Sequence, residues 1–436
     1  MNLHRINHSR FPGFTAACLT ALAAFVSGCG GGGGSTTGNP APTNTTAEVS
    51  IYSKVAPAQA APVATGALAA DAIAWMNYRR AQIGLAPMVT NELLNRAAQA
   101  HANYTTTNNS YASEGHSETT GKPGFTGVSP SQRIAVTAYP SPFVSENIAA
   151  SIYNFGADKT DNLINAPYHR QTQFAGFADA GAGSSLLPNT GPNTFDAYHY
   201  VINFGSKATT WGPAVNQVLA YPPPGQQNAP VGWRALENPN PVPDLAGQMV
   251  GYPISLQSAF GTALVVSSFT LSDSRAVPVN GRLITTRTDT QAALGNFAFW
   301  IPLAPLLPDA AYTAKASGSL DGLPMNLSWS FKTAAAIPPT ITASAATLAA
   351  TVGSKVTVAL TGNQGARLIG GGSSYTYRGS VDPGGEFASI VLNSPSSATV
   401  TRSNVSCDPT VYGQCSYLLF AQDDSGAQTT LTLTVN

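Results

Sequence analysis

Downstream of residue 65 the hydrophobic positions first follow a helical spacing. Leu68, Ala72 and Met76 fall near one face of a predicted helix over residues 67–83, which Gly84 ends. A second helix is predicted from Asn91, a good N-cap, to about Thr105. Its buried face carries Leu94, Ala97, Ala98, His101 and Tyr104. His101 is therefore expected to pack in the core or to cap a backbone group rather than to bind a ligand.

The following hundred residues mix helical and strand patterns. Short helices are predicted over 131–136 and 157–166, and the β-branched and aromatic run 195–204 predicts a strand that carries His199. The segment 106–145 is rich in glycine and proline and shows no clear periodicity. A loop of this length inside a compact unit is usually functional.

The second half of the chain reads as two all-β units. After a proline-rich connection over 206–250, short strands separated by turns are predicted at 263–271, 281–286, 297–301, 312–316, 327–333, 355–360, 389–392, 398–401, 417–421 and 429–435. Short strands at this spacing are typical of β-sandwiches. A hinge is predicted at 334–340 between the two units.

Composition indicates an exported protein. Only 10% of the residues are charged, and the formal net charge is zero, with 41 glycines and 32 prolines. No basic block interleaved with aromatic residues is present, which argues against nucleic acid as a partner.

The N-terminus predicts an export signal. Arg5 and Arg10 precede an apolar run of thirteen residues, too short for the ~20 residues that span a bilayer. The run ends in Val26-Ser27-Gly28-Cys29, which resembles the bacterial lipobox. That resemblance implies a lipoprotein, lipidated at Cys29 and tethered to a membrane of the cell envelope. Residues 30–64 are predicted to form a flexible tether, because their Gly, Ser, Thr, Asn and Pro begin with five glycines and cannot bury enough apolar surface.

Two cysteines remain beyond the export signal and its flanks. Cys407 and Cys415 are eight residues apart, and in an exported chain this pair predicts a disulfide that closes a small loop. Two free thiols are the alternative. The spacing is a poor zinc pattern, since no histidine lies nearby.

The chemistry of the chain is concentrated between Gly115 and Arg170. Four of the six histidines, His101, His116, His169 and His199, lie within about a hundred residues of sequence. Carboxylates at Glu118 and Glu146 accompany them. No Gly-x-Ser-x-Gly elbow, no His-Glu-x-x-His helix and no cysteine occurs in this segment, so the sequence nominates no nucleophile.

This ordered series of motifs resembles the CAP superfamily, also called the SCP or pathogenesis-related-1 domain, and its bacterial branch in particular. The matching residues are Met76–Arg80, Gly84–Pro87, Asn91–Leu94, His101, His116–Glu118, Lys122–Gly127, Arg133, Glu146–Ile148, Pro167–Arg170, His199–Tyr200 and Phe204–Gly205. The resemblance implies an α-β-α sandwich with a shallow cleft lined by two histidines and two acidic residues.

Carried over by position, the resemblance places His116, Glu146 and His169 in that cleft. Glu118 is a candidate for the second acid because it lies close in sequence, and His199 is a further candidate beyond the usual landmarks. Glu146 and His169 also have a structural alternative, in which they only hold loops together. The catalytic residues are left unknown.

The predicted fold class is α+β. An export signal over 1–29 and a tether over 30–64 precede a CAP-like domain over 65–206. A connection with an immunoglobulin-like β domain over 207–336 and a second such domain over 337–436 follow. The likeness to bacterial immunoglobulin-like modules depends on Tyr312-Thr313, Asp321-Gly322 and Trp329-Ser330-Phe331.

Two functions are compatible with these residues. The first is an envelope-anchored binding protein whose His/Glu cleft captures a small molecule, a lipid or a cell-wall component. The second is a metal-dependent hydrolase of the cell envelope, because imidazole and carboxylate groups suit a divalent ion such as zinc. In that case His116, Glu146 and His169 would be the metal ligands.

Overall fold

The structure is a computed structural model. It describes residues 48–57, 59–63, 65–151, 156–188, 197–206, 213–289, 295–335, 339–361, 367–374, 387–394, 396–408, 411–412, 415–422 and 428–436. The chain divides into two compact units, Met1–Thr46 and Ala47–Asn436, and every described residue lies in the second. The predicted export signal, Cys29 and the first part of the tether lie outside the described residues.

Among the described residues, every α-helix lies in the first half of the second unit. In chain order its elements are β1 (Ser50–Ile51), α1 (Leu68–Gln82), β2 (Val89–Thr90), α2 (Glu92–Thr107), α3 (Tyr111–Glu114), α4 (Pro130–Val136), β3 (Phe143–Ser151), α5 (Gly156–Asn165), α6 (Pro167–Gln173), β4 (Asp179–Leu187) and β5 (Ala197–Ser206). No helix among the described residues is long and apolar enough to cross a bilayer.

Helices cover both faces of the sheet β2-β4-β5-β3. On one face, Ala98 and Ala102 of α2 pack against Ile148 and Val201. On the other face, α1 packs against Tyr200, Ile202 and Phe204. The resulting three layers confirm the predicted α-β-α sandwich.

Helix α2 lies unusually close to β4 because two glycines remove side chains from the contact. A Cβ atom at Gly183 would lie 2.2 Å from the backbone nitrogen of Gln99, and one at Gly181 would lie 2.3 Å from that of Asn95. These two glycines therefore allow α2, which carries His101, to pack directly against the sheet.

In the second half of the unit, the described elements are β-strands and one short 3₁₀ turn at Pro243–Leu245. Its strands are β6 (Gln217–Tyr221), β7 (Gly232–Arg234), β8 (Met249–Gly251), β9 (Ile254–Gln257), β10 (Leu264–Asp273), β11 (Gly281–Ile284), β12 (Phe297–Pro302), β13 (Ala311–Leu320), β14 (Leu323–Lys332), β15 (Thr340–Ala343), β16 (Thr347–Leu348), β17 (Lys355–Thr361), β18 (Arg367–Ser374), β19 (Ala388–Ser394), β20 (Ser397–Arg402), β21 (Ser416–Gln422) and β22 (Gln428–Val435).

Apart from β7 and β8, which pair with each other, these strands form two sandwiches, as predicted. In the first, the sheets β1-β6-β9-β12-β11 and β10-β13-β14 enclose one hydrophobic core. In the second, the sheets β15-β17-β20-β19 and β16-β22-β21-β18 enclose another. The predicted disulfide between Cys407 and Cys415 is present in the second sandwich.

The predicted tether over 30–64 extends too far towards the C-terminus. Ser50 and Ile51 pair in parallel with Gln217 and Val218 of β6, and Val49 is only 5% exposed. The chain therefore supplies the first strand of the first sandwich before it enters the helical domain. Polar composition did not reveal this strand, because it is only two residues long.

The helical domain and the first sandwich share a hydrophobic core. Ile83, Ile164 and Phe174 pack in one cluster with Tyr221 and Tyr252 of the sandwich, among other residues. The two parts are therefore joined by packing as well as by the chain.

Arg170 at the C-terminal end of α6 completes this junction. Its guanidinium carbon lies 4.8 Å from the ring centroid of Tyr221 and 4.9 Å from that of Tyr252. It also donates hydrogen bonds to the carbonyls of Ile164 and Pro253 (both 2.6 Å). A planar guanidinium suits such a site because it can stack on aromatic rings while it donates at its edges.

Candidate functional site

Glu146 on β3 is the centre of a buried cluster of charged side chains. Its two carboxylate oxygens both accept from Arg133 Nη2 at 2.8 Å. Its Oε1 also lies 3.0 Å from His116 Nδ1 and 3.9 Å from His101 Nε2. The Glu146 side chain is 1% exposed, so these contacts replace solvent almost completely.

The cluster keeps Glu146 ionised. Burial alone raises the pKa of the carboxyl, but the hydrogen bond from His116 and the positive charge of Arg133 outweigh it and leave the pKa below its ordinary value. An ionised carboxylate accepts hydrogen bonds and donates none. Glu146 is therefore an anchor for the groups around it.

Glu118 forms the second carboxylate of the cluster and is also buried. Its oxygens accept from the Thr126 backbone N–H (2.6 Å) and contact His101 Nδ1 (3.0 Å). Burial raises its pKa, whereas the His101 and Thr126 hydrogen bonds and the Arg133 charge lower it, and the net shift is downward. Glu118 thus lies near Glu146, as predicted from its sequence position, but its side chain is fully buried and is not accessible to a ligand.

His101 links the two carboxylates. Its Nδ1 faces Glu118 Oε1, and its Nε2 lies 3.1 Å from the Gly115 carbonyl oxygen. Both neighbours are acceptors, so only a doubly protonated ring donates to both. With His101 in that form, two positive groups (His101 and Arg133) balance two carboxylates. The expectation that His101 is buried and caps a backbone group is confirmed, and its pairing with Glu118 is an addition.

His116 is the exposed member of the cluster. Its side chain is 44% exposed, compared with 1% for its partner Glu146. Because the ionised Glu146 can only accept, Nδ1 of His116 carries the hydrogen of their 3.0 Å bond. The other ring nitrogen, Nε2, makes no hydrogen bond to any described residue. In the neutral ring Nε2 is therefore a fixed acceptor for a ligand.

Local sequence signals position the groups around His116. Helix α4 begins at a capping box. Ser129 Oγ accepts from the Gln132 backbone N–H, and Gln132 Oε1 accepts from the Ser129 backbone N–H. Arg133 follows directly in this helix and contacts Glu146 on the sheet. The loop that carries His116 begins after Glu114, which accepts from Lys122 Nζ and Tyr104 Oη (both 2.5 Å). Those two bonds lower the pKa of Glu114 to about 2. The long loop of the sequence is thus held by its own polar side chains.

His169 does not join this cluster, contrary to the position carried over for it. Its Nδ1 lies 2.6 Å from Glu237 Oε1 in the connection that follows the helical domain. Its carbonyl oxygen accepts from Asn147 Nδ2 (3.0 Å). Successive side chains of a strand point to opposite faces, so Asn147 and His169 lie on the face of the sheet opposite Glu146.

His199 is a packed residue rather than a cleft residue. Its Nδ1 lies 3.0 Å from Thr105 Oγ1, and its ring packs 5.1 Å from that of Tyr111. Burial, together with the charge of His101, lowers its pKa. The side chain shares a sheet face with Glu146 but contacts α2 and α3.

The three predicted metal ligands do not fit one ion in this arrangement. His116 and Glu146 are in contact, but His169 is separated from them by the sheet and is bound to Glu237. Both oxygens of Glu146 are also occupied by Arg133. Over the part of the chain that the structure describes, no three His, Cys, Asp or Glu side chains are arranged to hold a metal.

The comparison with protein families agrees with the fold and with the order of the motifs. The family model described as CAP, the cysteine-rich secretory protein family, matches residues 73–204. Residues 73–204 form a CAP domain. The match runs from within α1 into β5 and includes His116, Glu118, Glu146, His169 and His199.

Solved structures show similarity to part of the chain. An extracellular protein containing a SCP domain from Bacillus anthracis str. Ames is 18% identical over 34% of this chain and 45% of that chain, with a TM-score of 0.26. The fibronectin(III)-like modules of CbhA from Clostridium thermocellum are 14% identical over 50% of this chain and 92% of theirs, with a TM-score of 0.22. This chain thus covers less than half of the Bacillus anthracis chain. No curated protein matches this chain in sequence.

Sequence reasoning missed two residues that determine the site. Arg133 was noted only as part of the CAP resemblance, and nothing in the local sequence indicated that it is buried and paired with Glu146. Glu237 lies outside the CAP domain and 68 residues from His169, so no local pattern connects them.

Proposed function

We propose that this protein is an extracytoplasmic binding protein whose CAP domain captures a hydroxyl-bearing cell-wall component at His116. One observation carries the proposal. His116 is exposed, and its orientation is fixed by a buried carboxylate that is itself fixed by Arg133. A hydrogen-bonding group that is held in place before a ligand arrives loses little entropy on binding.

The chemistry of the cluster favours recognition over catalysis. Glu146 is buried and has both oxygens engaged, so it cannot accept a proton from a substrate without breaking its bonds to Arg133. Glu118 and His101 have fully buried side chains. Of this cluster, only the His116 ring is open to a ligand, and its neutral Nε2 accepts from a hydroxyl or amide donor.

The location of the protein belongs to the same proposal. The run that ends at Cys29 is typical of a lipoprotein export signal, and lipidation there would anchor the CAP domain to the cell envelope. A protein so anchored has cell-wall glycans and peptides as neighbours. The Bacillus anthracis protein with a SCP domain, which is described as extracellular, is consistent with this location.

The alternative of a metal-dependent hydrolase gains no specific support. It requires His116, Glu146 and His169 to share an ion, and the sheet keeps His169 on the opposite face. The zinc content of the wild type and of His116→Ala, measured after a zinc soak, separates the two functions.

The proposed function can be tested by calorimetric titration of the processed protein with soluble muropeptides, which carry both sugar hydroxyls and peptide amides. We expect saturable binding that His116→Ala weakens at least tenfold. His169→Ala is the matched control, because its imidazole lies on the other face of the sheet, and it should bind as the wild type does. Equal binding by wild type and His116→Ala would reject this site.

A further inference from the structure

A cavity of about 480 Å³ lies where the CAP domain meets the first β-sandwich. Its wall on the CAP side comes from the beginning of β3, from α6 and from the segment between α6 and β4. Its wall on the sandwich side comes from Phe260 and Gly261, between β9 and β10. The volume is within the range of about 300–1,000 Å³ that is usual for small-molecule sites.

Aromatic rings dominate the wall of this cavity. Phe177 of the CAP domain and Phe260 of the sandwich lie with their ring centroids 5.2 Å apart and their planes tilted by 60°. Phe143 at the start of β3 is 52% exposed, which is unusual for a large apolar side chain in a concave site. These rings offer their faces and edges to an apolar guest.

The polar groups of the wall are few and neutral. The hydroxyls of Ser145 and Thr172 make no hydrogen bond to any described residue, so they are free to bind a ligand. No Asp, Glu, Lys, Arg or His is among the described residues that line the cavity. A charged ligand would lose its hydration here without gaining a partner of opposite charge.

We propose that this cavity is a second binding site, which takes a small, neutral, largely aromatic molecule carrying one hydrogen-bonding group. Ser145 and Asn147 point to the same face of β3, so the cavity lies across the sheet from His116. The site is therefore separate from the proposed binding site at His116 in position and in the chemistry of its ligand. Because Phe260 belongs to the sandwich, the site also requires the two domains to be packed together.

The test is a fluorescence titration of the whole processed protein with N-phenylnaphthylamine, a neutral aromatic dye whose emission rises in apolar surroundings. We expect saturable binding of one dye per chain. Ser145→Asp places a charge in the cavity and should weaken binding by roughly tenfold or more. Phe143→Ser removes an aromatic wall from an exposed position, where folding is least at risk, and should weaken binding by about fivefold.

Ser131→Asp is the matched control, because it introduces the same charge on exposed α4, away from the cavity. It should bind the dye as the wild type does. Non-saturating binding, or equal affinity in wild type, Ser145→Asp and Phe143→Ser, would overturn the proposal. If Ser145→Asp does not fold, as judged by circular dichroism, Phe143→Ser alone decides the outcome. His116→Ala should leave dye binding unchanged, so this test does not depend on the proposed binding site at His116.

Discussion

Glu146 and Asn147 are neighbours on β3, yet they contact histidines on opposite faces of the sheet. Glu146 Oε1 lies 3.0 Å from His116 Nδ1, and Asn147 Nδ2 donates to the carbonyl oxygen of His169 at 3.0 Å. Successive side chains of a β-strand point to opposite faces of the sheet. His116 and His169, which were expected to share one cleft, therefore lie on opposite faces. One face carries an exposed imidazole on a buried charge cluster, and the other face carries the junction with the β-sandwich.

Removing the positive charge of Arg133 should destabilise the CAP domain strongly. Arg133→Met leaves the buried carboxylates of Glu118 and Glu146 without their main counter-charge, and we expect a loss of about 3–5 kcal/mol in the free energy of unfolding. Urea unfolding followed by circular dichroism measures this loss. Arg96→Met on the exposed face of α2 is the matched control, and its unfolding curve should overlay that of the wild type. A wild-type curve for Arg133→Met would show that the cluster is not a structural anchor.

The same carboxylates should make stability depend on pH in the acid range. Both have folded-state pKa values below the ordinary value of 4.5. The unfolded chain therefore binds protons first as the pH falls, so the contribution of the two groups is complete above about pH 4.5 and is lost as the pH falls through the folded-state values. Glu146→Gln should unfold more readily than the wild type at pH 7 but should lose less stability between pH 5 and pH 3. Parallel pH profiles of the two proteins would contradict this assignment.

The segment 48–53, which contains β1, should be required by the first sandwich. Ser53 Oγ donates to the Ala220 carbonyl (2.7 Å) and accepts from the Ala220 N–H (2.9 Å), and Ser53 is buried. Ser53→Ala removes the hydrogen-bond partner of both Ala220 backbone groups. Each group that remains buried without another partner should lower the free energy of unfolding by about 1–3 kcal/mol. Thermal unfolding should show a lower Tm for Ser53→Ala. The exposed Ser113→Ala, which makes one local bond, is the control. A Tm equal to the wild-type value would mean that residues 48–53 do not contribute to the fold.

Arg170 should not tolerate lysine. Lysine keeps the charge, but it cannot stack a planar group on the Tyr221 ring or donate to both the Ile164 and the Pro253 carbonyls as the guanidinium does. Arg170→Lys should therefore lower the free energy of unfolding by about 2–4 kcal/mol. Chemical unfolding monitored by tryptophan fluorescence measures this cost, since Trp233 lies in the shared core. Arg275→Lys at an exposed turn is the matched control. If both variants unfold like the wild type, the junction does not depend on Arg170.

Zinc binding should be insensitive to His116. Because His169 is bound to Glu237 on the other face, His116→Ala removes no member of an assembled ligand set, and the metal content after a zinc soak and desalting should match that of the wild type. Elemental analysis measures the content directly. A loss of one zinc per chain in His116→Ala would instead support the metal-dependent hydrolase.

Local patterns predicted much of the fold. The helices that begin near Leu68 and Glu92 follow from helical spacing and a good N-cap. The predicted strands of the two sandwiches coincide with observed strands to within a few residues. Strands β3 and β4 were not predicted. Strand β4 is rich in glycine, serine and alanine, because the close approach of α2 requires small residues there, and β3 contains serine, glutamate, asparagine and alanine between its few apolar residues.

The site was predictable only in part. The pairing of His116 with Glu146 followed from the CAP resemblance, and the position of Glu118 followed from its closeness in sequence. The separation of His169 depends on which face of β3 each side chain occupies, and its partner Glu237 comes from a distant connection. Neither the position of His169 nor its contact with Glu237 can be predicted from the local spacing of residues in the sequence.

The orientation of His116 can be measured directly by nitrogen-15 NMR of the histidine rings in the processed protein, recorded over a pH series that includes the neutral ring, with the signal assigned from the spectrum of His116→Ala. We predict that the neutral form of the ring carries its hydrogen on Nδ1, bonded to Glu146, and that its Nε2 is unprotonated and open to a ligand. A neutral ring with its hydrogen on Nε2 would mean that Glu146 does not orient His116, and it would contradict the proposed recognition site.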